Sequence, residues 1–270
     1  MTKPIKLAIA GATGRMGRML IEAALKDPHV QLASAFDVPY SDLIGRDAGE
    51  LIGQKTGVLI SDDPCNAIGA ADCLIDFTRP EGTLAHLSMA KAAGCNVVIG
   101  TTGFDEKGRE AIVAAGEKIG VVFAPNMAVG VNAVFRLLEI AGKILNEGYD
   151  LEIIEAHHRL KVDAPSGTAL RMGEIVAQAR GLDIKEHAIY GREGYTGERA
   201  SNTIGFSTIR GGDIVGDHTV LFAGLGERIE ITHKSSSRMP YATGSLRAAR
   251  FLAEHKNGVY DMQDVLGLRC

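Results

Sequence analysis

The first 26 residues contain the feature that most restricts what this chain can fold into. Residues 5–10 are an apolar run typical of a buried strand, and apolar side chains recur at helical spacing from residue 16 to about residue 26. The segment between them, Gly11-Ala-Thr-Gly-Arg-Met-Gly17, is rich in glycine. A strand, a glycine loop and a helix in this order begin a dinucleotide-binding fold, in which the helix N-terminus lies against a pyrophosphate. An ordinary tight turn uses the same glycines, but it does not require the strand and the helix around them.

A second predicted strand, residues 30–36, ends at Asp37, which lies 20 residues after Gly17. In dinucleotide-binding domains an acidic residue at this tip accepts hydrogen bonds from the adenosine ribose hydroxyls. The next residue, Val38, supplies no positive charge for a ribose 2′-phosphate. The two positions therefore favour NADH over NADPH. The alternative is that Asp37 is a surface acid that begins a loop.

Strands and helices alternate through the rest of the first half of the chain. Strands are predicted near residues 73–77, 96–99 and 121–124, with helices at residues 80–93 and 106–118 between them. Such alternation implies a parallel sheet whose ligands bind outside the carboxyl ends of its strands. The residues at these strand ends are Gly11, Asp37, Thr78, Gly100 and Ala124. The first half is therefore predicted to be a Rossmann-like dinucleotide-binding domain.

The pattern changes after residue 130, where a long amphipathic helix is predicted to run to about residue 145. Five strands are predicted in the part that follows: residues 151–154, 188–190, 203–210, 213–222 and 228–233. The last two alternate in hydrophobicity, as half-buried antiparallel strands do. We therefore expect an α/β protein in which residues 1–129 and 240–270 form the Rossmann-like domain. Residues 130–239 are expected to form an α+β domain with a mixed sheet, whose open face would support self-association.

The segment Glu155-Ala-His-His-Arg-Leu-Lys-Val-Asp-Ala-Pro-Ser-Gly-Thr168 concentrates polar side chains between a predicted strand and a predicted helix. Backbone N–H groups at Gly167 and Thr168 would face an anion there, and the helix dipole favours negative charge. Lys161 adds a full positive charge, and a histidine can transfer a proton near neutral pH. Taken alone, the segment is equally typical of a solvated basic surface next to a capped helix.

The composition excludes several classes of function. A net charge of −4 gives no electrostatic footprint for nucleic acid or for an anionic membrane. No apolar run approaches the ~20 residues that cross a bilayer. Four scattered cysteines without a C-x-x-C pair indicate reduced thiols in the cytoplasm. We expect no metal, because the adjacent residues His157 and His158 would point to opposite faces of a strand and no cysteine or third histidine lies at ligand spacing nearby.

Six motifs together resemble the dihydrodipicolinate reductase (4-hydroxy-tetrahydrodipicolinate reductase) family, over essentially the whole chain. The motifs are residues 11–17, 76–81, 100–104, 155–159, 161–168 and 204–206. The histidine-to-threonine block is specific, whereas the glycine loop occurs in many oxidoreductases. The resemblance implies a nicotinamide-dependent reductase of lysine and diaminopimelate biosynthesis. It also implies a cofactor-binding first domain, a substrate-binding second domain and a homotetramer.

The resemblance further implies roles for individual residues. His157 is implied as proton donor or acceptor and Lys161 as proton donor, and we prefer Lys161 because an amine can both hold a carboxylate and deliver a proton. The substrate, a small cyclic dicarboxylate, is expected to contact His158, Gly167 and Thr168. The residues expected to contact NADH or NADPH are Gly11, Ala12, Thr13, Gly14, Arg15, Met16, Asp37, Gly100, Thr101, Thr102, Ala124, Pro125, Asn126 and Met127.

Two positions depart from the pattern of some family members. Thr13 replaces a glycine, which changes the loop little if its φ is negative. Val38 replaces an arginine that would bind the phosphate of NADPH, so equal use of the two cofactors is not expected.

Two other functions are alternatives to the reductase. A semialdehyde dehydrogenase shares the Gly-Ala-Thr-Gly loop, but its chemistry needs a thiolate nucleophile in the second domain. Every cysteine of this chain lies before residue 96 or at the C-terminus, so that function is disfavoured. A nucleotide-sensing regulator would keep the fold and lose turnover. The complete polar set argues against such a sensor: His157, His158, Lys161, Ser166 and Thr168.

Overall fold

The computed structural model of the protein describes residues 3–255 and 257–269. It forms two compact units, one of Met1–Val129 with Arg238–Cys270 and one of Gly130–Ser237. The strands β1–β12 are, in chain order, Ile5–Ala10, Val30–Phe36, Ile60–Ser61, Cys73–Asp76, Asn96–Ile99, Gly120–Phe123, Asp150–His157, Ala188–Tyr190, Ile204–Arg210, Gly216–Ala223, Arg228–Ser235 and Gly258–Tyr260. The helices α1–α9 are Arg15–Lys26, Pro64–Gly69, Pro80–Ala93, Glu106–Gly116, Val129–Ile144, Gly167–Ala179, Ile184–His187, Met239–Glu254 and Met262–Val265.

The first unit contains a seven-stranded sheet in the order β12-β6-β5-β4-β1-β2-β3, with parallel pairing between neighbours. Its strands are apolar because helices cover both faces, and all four residues of β4 are buried. Alternate residues of β1 enter two separate apolar clusters: Leu7 and Ile9 pack with α1 and α8, whereas Ala8 packs with α3 and α4. The Rossmann-like parallel sheet that the alternation predicted is confirmed.

The short elements of this unit that were not predicted from the sequence include α2, β12 and α9. β12 extends the sheet at its edge, where Val259 pairs with Val121 of β6. Its three residues are too few to show a periodic pattern. α2 has only six residues and begins after Asp63, whose side chain accepts a hydrogen bond from the Asn66 N–H. Such elements depend on the sheet and helices around them more than on their own periodicity.

Two glycines allow the first loop to pack tightly against its own helix. Gly11 has a φ of +63°, a region that residues with a side chain rarely adopt. A Cβ on Gly17 would lie 2.3 Å from the Gly11 carbonyl oxygen and 2.7 Å from Ala12 Cα. Because both of these are backbone atoms, no side chain can turn away to make room. The turn therefore requires glycine at positions 11 and 17.

The second unit contains a five-stranded sheet in the order β11-β10-β7-β9-β8. β10 pairs antiparallel with β11 and β7, whereas β9 pairs parallel with β7 and β8, which confirms the predicted mixed sheet. α6 covers one face, and a Cβ on its Gly173 would lie 2.6 Å from the Phe206 ring. β7 continues to His157, beyond the predicted end at residue 154. The apolar pattern stops earlier because Glu155 and His157 occupy buried positions of the strand.

The packing of α8 on the turn after β6 leads to a first prediction. A Cβ on Gly244 of α8 would lie 1.8 Å from the Met127 carbonyl oxygen. We expect Gly244→Ala to lower the free energy of unfolding by about 1–3 kcal/mol, because the helix must move away from this backbone atom. Urea denaturation measures the change. The matched control is Gly69→Ala at the end of α2, where an added Cβ meets nothing within 4 Å. Equal stability of the two variants would contradict the prediction.

Candidate active site

The glycine loop of the first unit lines a small cavity at the N-terminus of α1. Gly11 and Gly14 form the turn between β1 and α1, and Gly14 caps the helix without a side-chain hydrogen bond. Together with Arg15, Phe77 and Arg238 they line a cavity of about 210 Å³. A Cβ on Gly14 would lie 3.2 Å from the Gly11 carbonyl oxygen and would fill part of the turn. A helix N-terminus, two arginines and a glycine cradle are features that fit the diphosphate of a dinucleotide.

Asp37 follows β2 and connects it to the glycine loop. Its Oδ2 accepts hydrogen bonds from the backbone N–H and the hydroxyl of Thr13, at 2.8 and 2.7 Å. Its Oδ1 accepts from the Val38 N–H at 2.8 Å. Among the residues that the structure describes, Asn202 is the only non-glycine residue with a positive φ, so Thr13 does not strain the loop. A carboxylate has about four acceptor sites, which leaves Asp37 capacity for a further donor such as a ribose hydroxyl.

The buried carboxylate of Asp76 lies at the end of β4. Its hydrogen bonds to the neighbouring turns were not predicted from the sequence. It accepts hydrogen bonds from the backbone N–H and the hydroxyl of Thr78, at 2.8 and 2.7 Å. Its Oδ2 lies 2.8 Å from Nδ1 of His86 on α3. The Thr83 hydroxyl lies 3.1 Å from Oδ1 of Asp76 and 2.8 Å from the Thr101 hydroxyl. This carboxylate therefore joins β4 and α3 to the turn that follows β5.

The remaining residues expected to contact the cofactor follow the neighbouring strands β5 and β6. Gly100, Thr101 and Thr102 come after β5, where a Cβ on Gly100 would lie 2.1 Å from the Phe77 ring. The turn after β6 consists of residues 124–127, with Ala124 and Met127 buried. The structure thus brings the expected cofactor residues together at the carboxyl edge of one parallel sheet, which is where such sheets bind ligands.

In the second unit another buried carboxylate, Glu155, is the centre of hydrogen bonding. It is 1% exposed and lies on the face of β7 that α6 covers. Both Nη atoms of Arg210 donate to it at 2.8 Å, and Nδ1 of His157 lies 2.6 Å from Oε2. The Ser166 N–H and the Thr208 hydroxyl donate to Oε1. Burial alone would raise the pKa of Glu155, but the hydrogen bonds from Arg210 and His157 lower this pKa to about 2.

Two histidine rings meet beside this carboxylate. His157 and His218 are both buried, and their ring centroids are 5.0 Å apart. Nε2 of His218 lies 2.9 Å from the hydroxyl of Ser166, which also accepts from the Ala169 N–H as the cap of α6. Burial lowers the pKa of His218 to about 4. Burial also lowers the pKa of His157, although Glu155 opposes that shift. His218 is therefore an uncharged neighbour of His157 near neutral pH.

Lys161, the preferred proton donor, lies on the loop between β7 and α6. Its Nζ is 2.7 Å from Oδ1 of Asp163, and its side chain is 21% exposed. The Lys161 charge is close enough to His157 to contribute to the lowering of the pKa of that ring. The two candidate proton donors therefore belong to one polar region.

The residues expected to contact substrate lie at both ends of the same loop. His158 follows the last residue of β7 and is half-buried. Gly167 and Thr168 form the start of α6, with Ser166 as the N-cap. Because Ser166 also donates its N–H to Glu155, the start of α6 is anchored to the cluster around His157. The helix N-terminus that was predicted to hold an anion is therefore adjacent to the histidines.

Arg210 and His218 were not predicted from the sequence as members of this cluster, because their positions depend on strand register. The pairing of β7 with β9 places Arg210 opposite His157, and the pairing of β7 with β10 places His218 opposite Glu155. A single sequence does not reveal such register between distant strands. Glu155 and His157 are two residues apart on β7, which places both side chains on one face of that strand.

Two family models cover nearly the whole chain. The model described as dihydrodipicolinate reductase, N-terminus, matches residues 5–127, and the one described as dihydrodipicolinate reductase, C-terminus, matches residues 130–266. The chain belongs to the dihydrodipicolinate reductase family. It is therefore an NAD(P)H-dependent oxidoreductase of the lysine and diaminopimelate pathway, which confirms the resemblance seen in the six motifs.

Curated relatives of this family match almost end to end. The 4-hydroxy-tetrahydrodipicolinate reductase of Aromatoleum aromaticum is 71% identical over 266 residues, which are 98% of this chain and 96% of the relative. The enzyme of the same name from Dechloromonas aromatica is 66% identical over 264 residues, which are 98% of this chain and 98% of the relative. The similarity therefore includes both units.

Solved structures show the same fold at lower identity. A dipicolinate-bound dihydrodipicolinate reductase from Paenisporosarcina sp. TG-14 has a TM-score of 0.76 and 23% identity, covering 97% of this chain and 99% of that chain. GenD2 from gentamicin A biosynthesis, solved in complex with NAD, has a TM-score of 0.62 and 15% identity, covering 99% and 92%. At these identities the likeness concerns the fold alone.

The cysteines distinguish this chain from a semialdehyde dehydrogenase. An aspartate semialdehyde dehydrogenase II from Vibrio cholerae has a TM-score of 0.55 and 12% identity, covering 94% of this chain and 99% of that chain, so the likeness concerns the fold alone. Cys73 and Cys95 are buried, and burial raises the pKa of Cys95 to about 12. Cys65 is exposed on α2 of the first unit, and Cys270 lies outside the described residues. The described thiols therefore all belong to the first unit, whereas a semialdehyde dehydrogenase needs a thiolate nucleophile in the second.

Two kinds of feature are missing from residues 3–255 and 257–269. No helix in them combines the length and the apolar character that crossing a membrane requires. No three His, Cys, Asp or Glu side chains in them are grouped so that they could hold a metal ion. The buried acids bind other protein groups instead, as Asp76 does with His86 and Glu155 with Arg210.

The burial of His218 predicts that stability depends on pH. Its pKa is about 4 when folded and 6.5 ordinarily, so below pH 6.5 the unfolded chain binds a proton that the folded chain does not. Stability is therefore lost as the pH falls from about 6.5 towards 4, by about 2 kcal/mol at pH 5 from this group. We expect His218→Gln to reduce the difference between urea midpoints at pH 7 and pH 5. The control His187→Gln, at a less buried histidine of the same unit, should keep the full difference. An unchanged difference in His218→Gln would refute the assignment.

Proposed function

We propose that the chain reduces 4-hydroxy-tetrahydrodipicolinate to tetrahydrodipicolinate, and that the second unit holds the substrate and supplies the proton. The bound nicotinamide supplies a hydride. The ring loses its hydroxyl and a hydrogen of the adjacent carbon as water, and the hydride and the proton add to the double bond that this loss leaves. The observation that carries the proposal is the polar cluster around His157, Lys161 and the N-terminus of α6. A cyclic dicarboxylate that accepts hydride needs cationic groups and a proton donor in one place.

The loop between β7 and α6 supports the binding of a carboxylate. Backbone N–H groups at Gly167 and Thr168 lie in the first turn of α6, where the helix dipole favours an anion. Lys161 is paired with Asp163, whose side chain is 56% exposed. An ion pair with such an exposed partner is worth only about 0–1 kcal/mol, so a substrate carboxylate can displace Asp163 from Lys161. We propose that one carboxylate binds there and that the other binds near His158.

Two groups are candidate donors of the proton. Lys161 is supported by its charge and by its expected contact with the carboxylate. His157 is supported by its hydrogen bond to Glu155, which orients the ring and stabilises its protonated form. A general acid of either kind typically contributes about 10²–10⁴-fold to the rate. We propose that Lys161 holds the carboxylate and that both groups provide protons during turnover.

We propose that NADH is preferred over NADPH. Asp37 already carries a negative charge at the end of β2, where a ribose 2′-phosphate would be repelled. Val38, which follows it, is 42% exposed and offers no compensating charge. The preference rests on these two positions.

We also propose a homotetramer in the cytoplasm. The sheet face of the second unit opposite α6 carries exposed or half-buried apolar side chains, namely Ile154, Ile209 and Leu221. Such a face is suited to packing against another copy of the chain. The free thiols of the first unit agree with a reducing compartment. Sedimentation equilibrium of the purified protein would measure the number of subunits.

The cofactor preference yields a direct test. Purified protein mixed with freshly generated 4-hydroxy-tetrahydrodipicolinate should oxidise NADH with a higher kcat/KM than NADPH, followed as loss of nicotinamide absorbance. We expect Val38→Arg to raise the NADPH-to-NADH ratio of kcat/KM by about tenfold, because one phosphate–guanidinium contact is worth about 1.4 kcal/mol or more. Val113→Arg, at an exposed valine of α4, is the control and should leave the ratio unchanged. Equal use of both cofactors by the unaltered protein would exclude the proposed preference.

The variant Lys161→Ala distinguishes a reductase from a nucleotide sensor. It also distinguishes a lysine that donates a proton from a lysine that only binds the substrate carboxylate. We expect kcat/KM to fall about 10²–10⁴-fold while NADH binding, measured by fluorescence titration, is retained. A residue that only holds the carboxylate would raise KM with kcat unchanged, whereas a proton donor lowers kcat. Lys185→Ala on α7 serves as the control with normal kinetics. Full turnover by Lys161→Ala would remove Lys161 from the mechanism, and NADH binding without turnover in the unaltered protein would favour the sensor.

A further inference from the structure

The contact between Glu155 and His157 determines which ring nitrogen of His157 carries a proton. Glu155 receives both Nη groups of Arg210 and lies 2.6 Å from His157 Nδ1. An ionised carboxylate only accepts hydrogen bonds, so Nδ1 must be the donor. The ring therefore keeps a proton on Nδ1 in its neutral and in its charged state. No residue that the structure describes hydrogen-bonds Nε2, which is the nitrogen where the charge state changes.

Gly216, the first residue of β10, lies against that second nitrogen. A Cβ on Gly216 would be 3.1 Å from Nε2 of His157 and 3.5 Å from Cε1 of His218. The φ of Gly216 is not in the left-handed region, so the backbone conformation does not require glycine. Glycine weakens a strand and is favoured where another group approaches closely. The close approach of His157 Nε2 therefore explains why glycine occupies position 216.

We infer that Glu155 and Gly216 are positioning residues for His157: Glu155 retains the Nδ1 proton, and Gly216 keeps Nε2 open to the substrate. This inference rests on the proposed function, in which His157 exchanges a proton with the substrate ring. In the donating step the Nε2–H bond breaks and a bond from that hydrogen to the ring forms. The imidazole is left neutral with its proton on Nδ1, and a solvent proton then returns to Nε2.

The charges around His157 predict how the site responds to loss of Glu155. Burial lowers the pKa of His157, and the cations Lys161 and Arg210 lower it further. His218, on the neighbouring strand β10, is uncharged near neutral pH. Glu155 is the group that opposes these effects and favours the protonated ring. Replacing it with glutamine should therefore lower the pKa of His157 further, because the glutamine side chain carries no charge.

The first test reads the proton positions directly, in the absence of substrate. Full-length protein carrying ¹⁵N-labelled histidine is studied by NMR, with the His157 signals assigned from their loss in His157→Gln. In the unaltered protein we expect the neutral ring to carry its proton on Nδ1. In Glu155→Gln we expect the Nε2-protonated tautomer to appear and the titration to move to lower pH. A neutral ring protonated on Nε2 in the unaltered protein would overturn the inference.

The second test uses the kinetics of the same proteins. If the protonated ring is required, kcat/KM falls as the pH rises through the pKa of His157. This decrease in kcat/KM should occur at lower pH in Glu155→Gln. Gly216→Ala keeps every charge, so the pH at which kcat/KM decreases should not change. We expect kcat to fall at least tenfold in this variant, while KM for the dicarboxylate stays within about twofold of normal. If the decrease in kcat/KM occurs at the same pH in Glu155→Gln as in the unaltered protein, the role of Glu155 is overturned. An unchanged kcat in Gly216→Ala would overturn the role of Gly216.

Matched controls separate these effects from general damage. Glu174→Gln breaks an exposed ion pair with Arg171 on α6, and Gly211→Ala adds a Cβ where nothing lies within 4 Å. Both should keep normal kinetics and normal His157 signals. If Glu155→Gln does not fold, the unaltered protein and Gly216→Ala still decide the inference. Absence of turnover in the unaltered protein would refute the proposed function, whereas the NMR measurement would still report on Glu155.

Discussion

The buried ion pair between Glu155 and Arg210 is the interaction on which the second unit depends. A carboxylate removed from water is stable only when charges and hydrogen bonds replace its hydration. Here those partners come from β7, β9 and the residue before α6, so the ion pair connects three separate segments of the chain. The position of the α6 N-terminus relative to the sheet follows from it, because Ser166 donates its backbone N–H to the same carboxylate.

The first unit solves a related problem with Asp76 at the end of β4. Turns that leave a parallel sheet carry backbone N–H and hydroxyl groups that the strand ladder does not satisfy. Asp76 accepts from Thr78 in the turn after its own strand, contacts His86 on α3 and is linked through Thr83 to Thr101 after β5. In both units a buried acid near the end of a strand orders the loops in which ligand-binding residues are expected.

The parts of this arrangement that depend on local pattern could be predicted from the sequence. The glycine loop, Asp37 and the turns after β5 and β6 follow from strands and helices with clear periodicity, and the structure gathers them at one edge of the sheet. The partners of Glu155 could not be predicted in the same way, because Arg210 and His218 reach it through strand register. The three residues of β12 and the end of β7 were also missed, since one is too short for periodicity and the other buries polar side chains.

Stability alone does not account for the cluster around Glu155. Well-packed apolar side chains of similar volume are often as stabilising as a buried ion pair, or more so. Arg210 even leaves its Nε without a hydrogen-bond partner among the described residues, which adds to the cost of burying it. An apolar core, however, could not hold a proton on one nitrogen of His157 and leave the other open. Retaining an ionised carboxylate at this position is therefore better explained by control of the imidazole than by the folding of the unit.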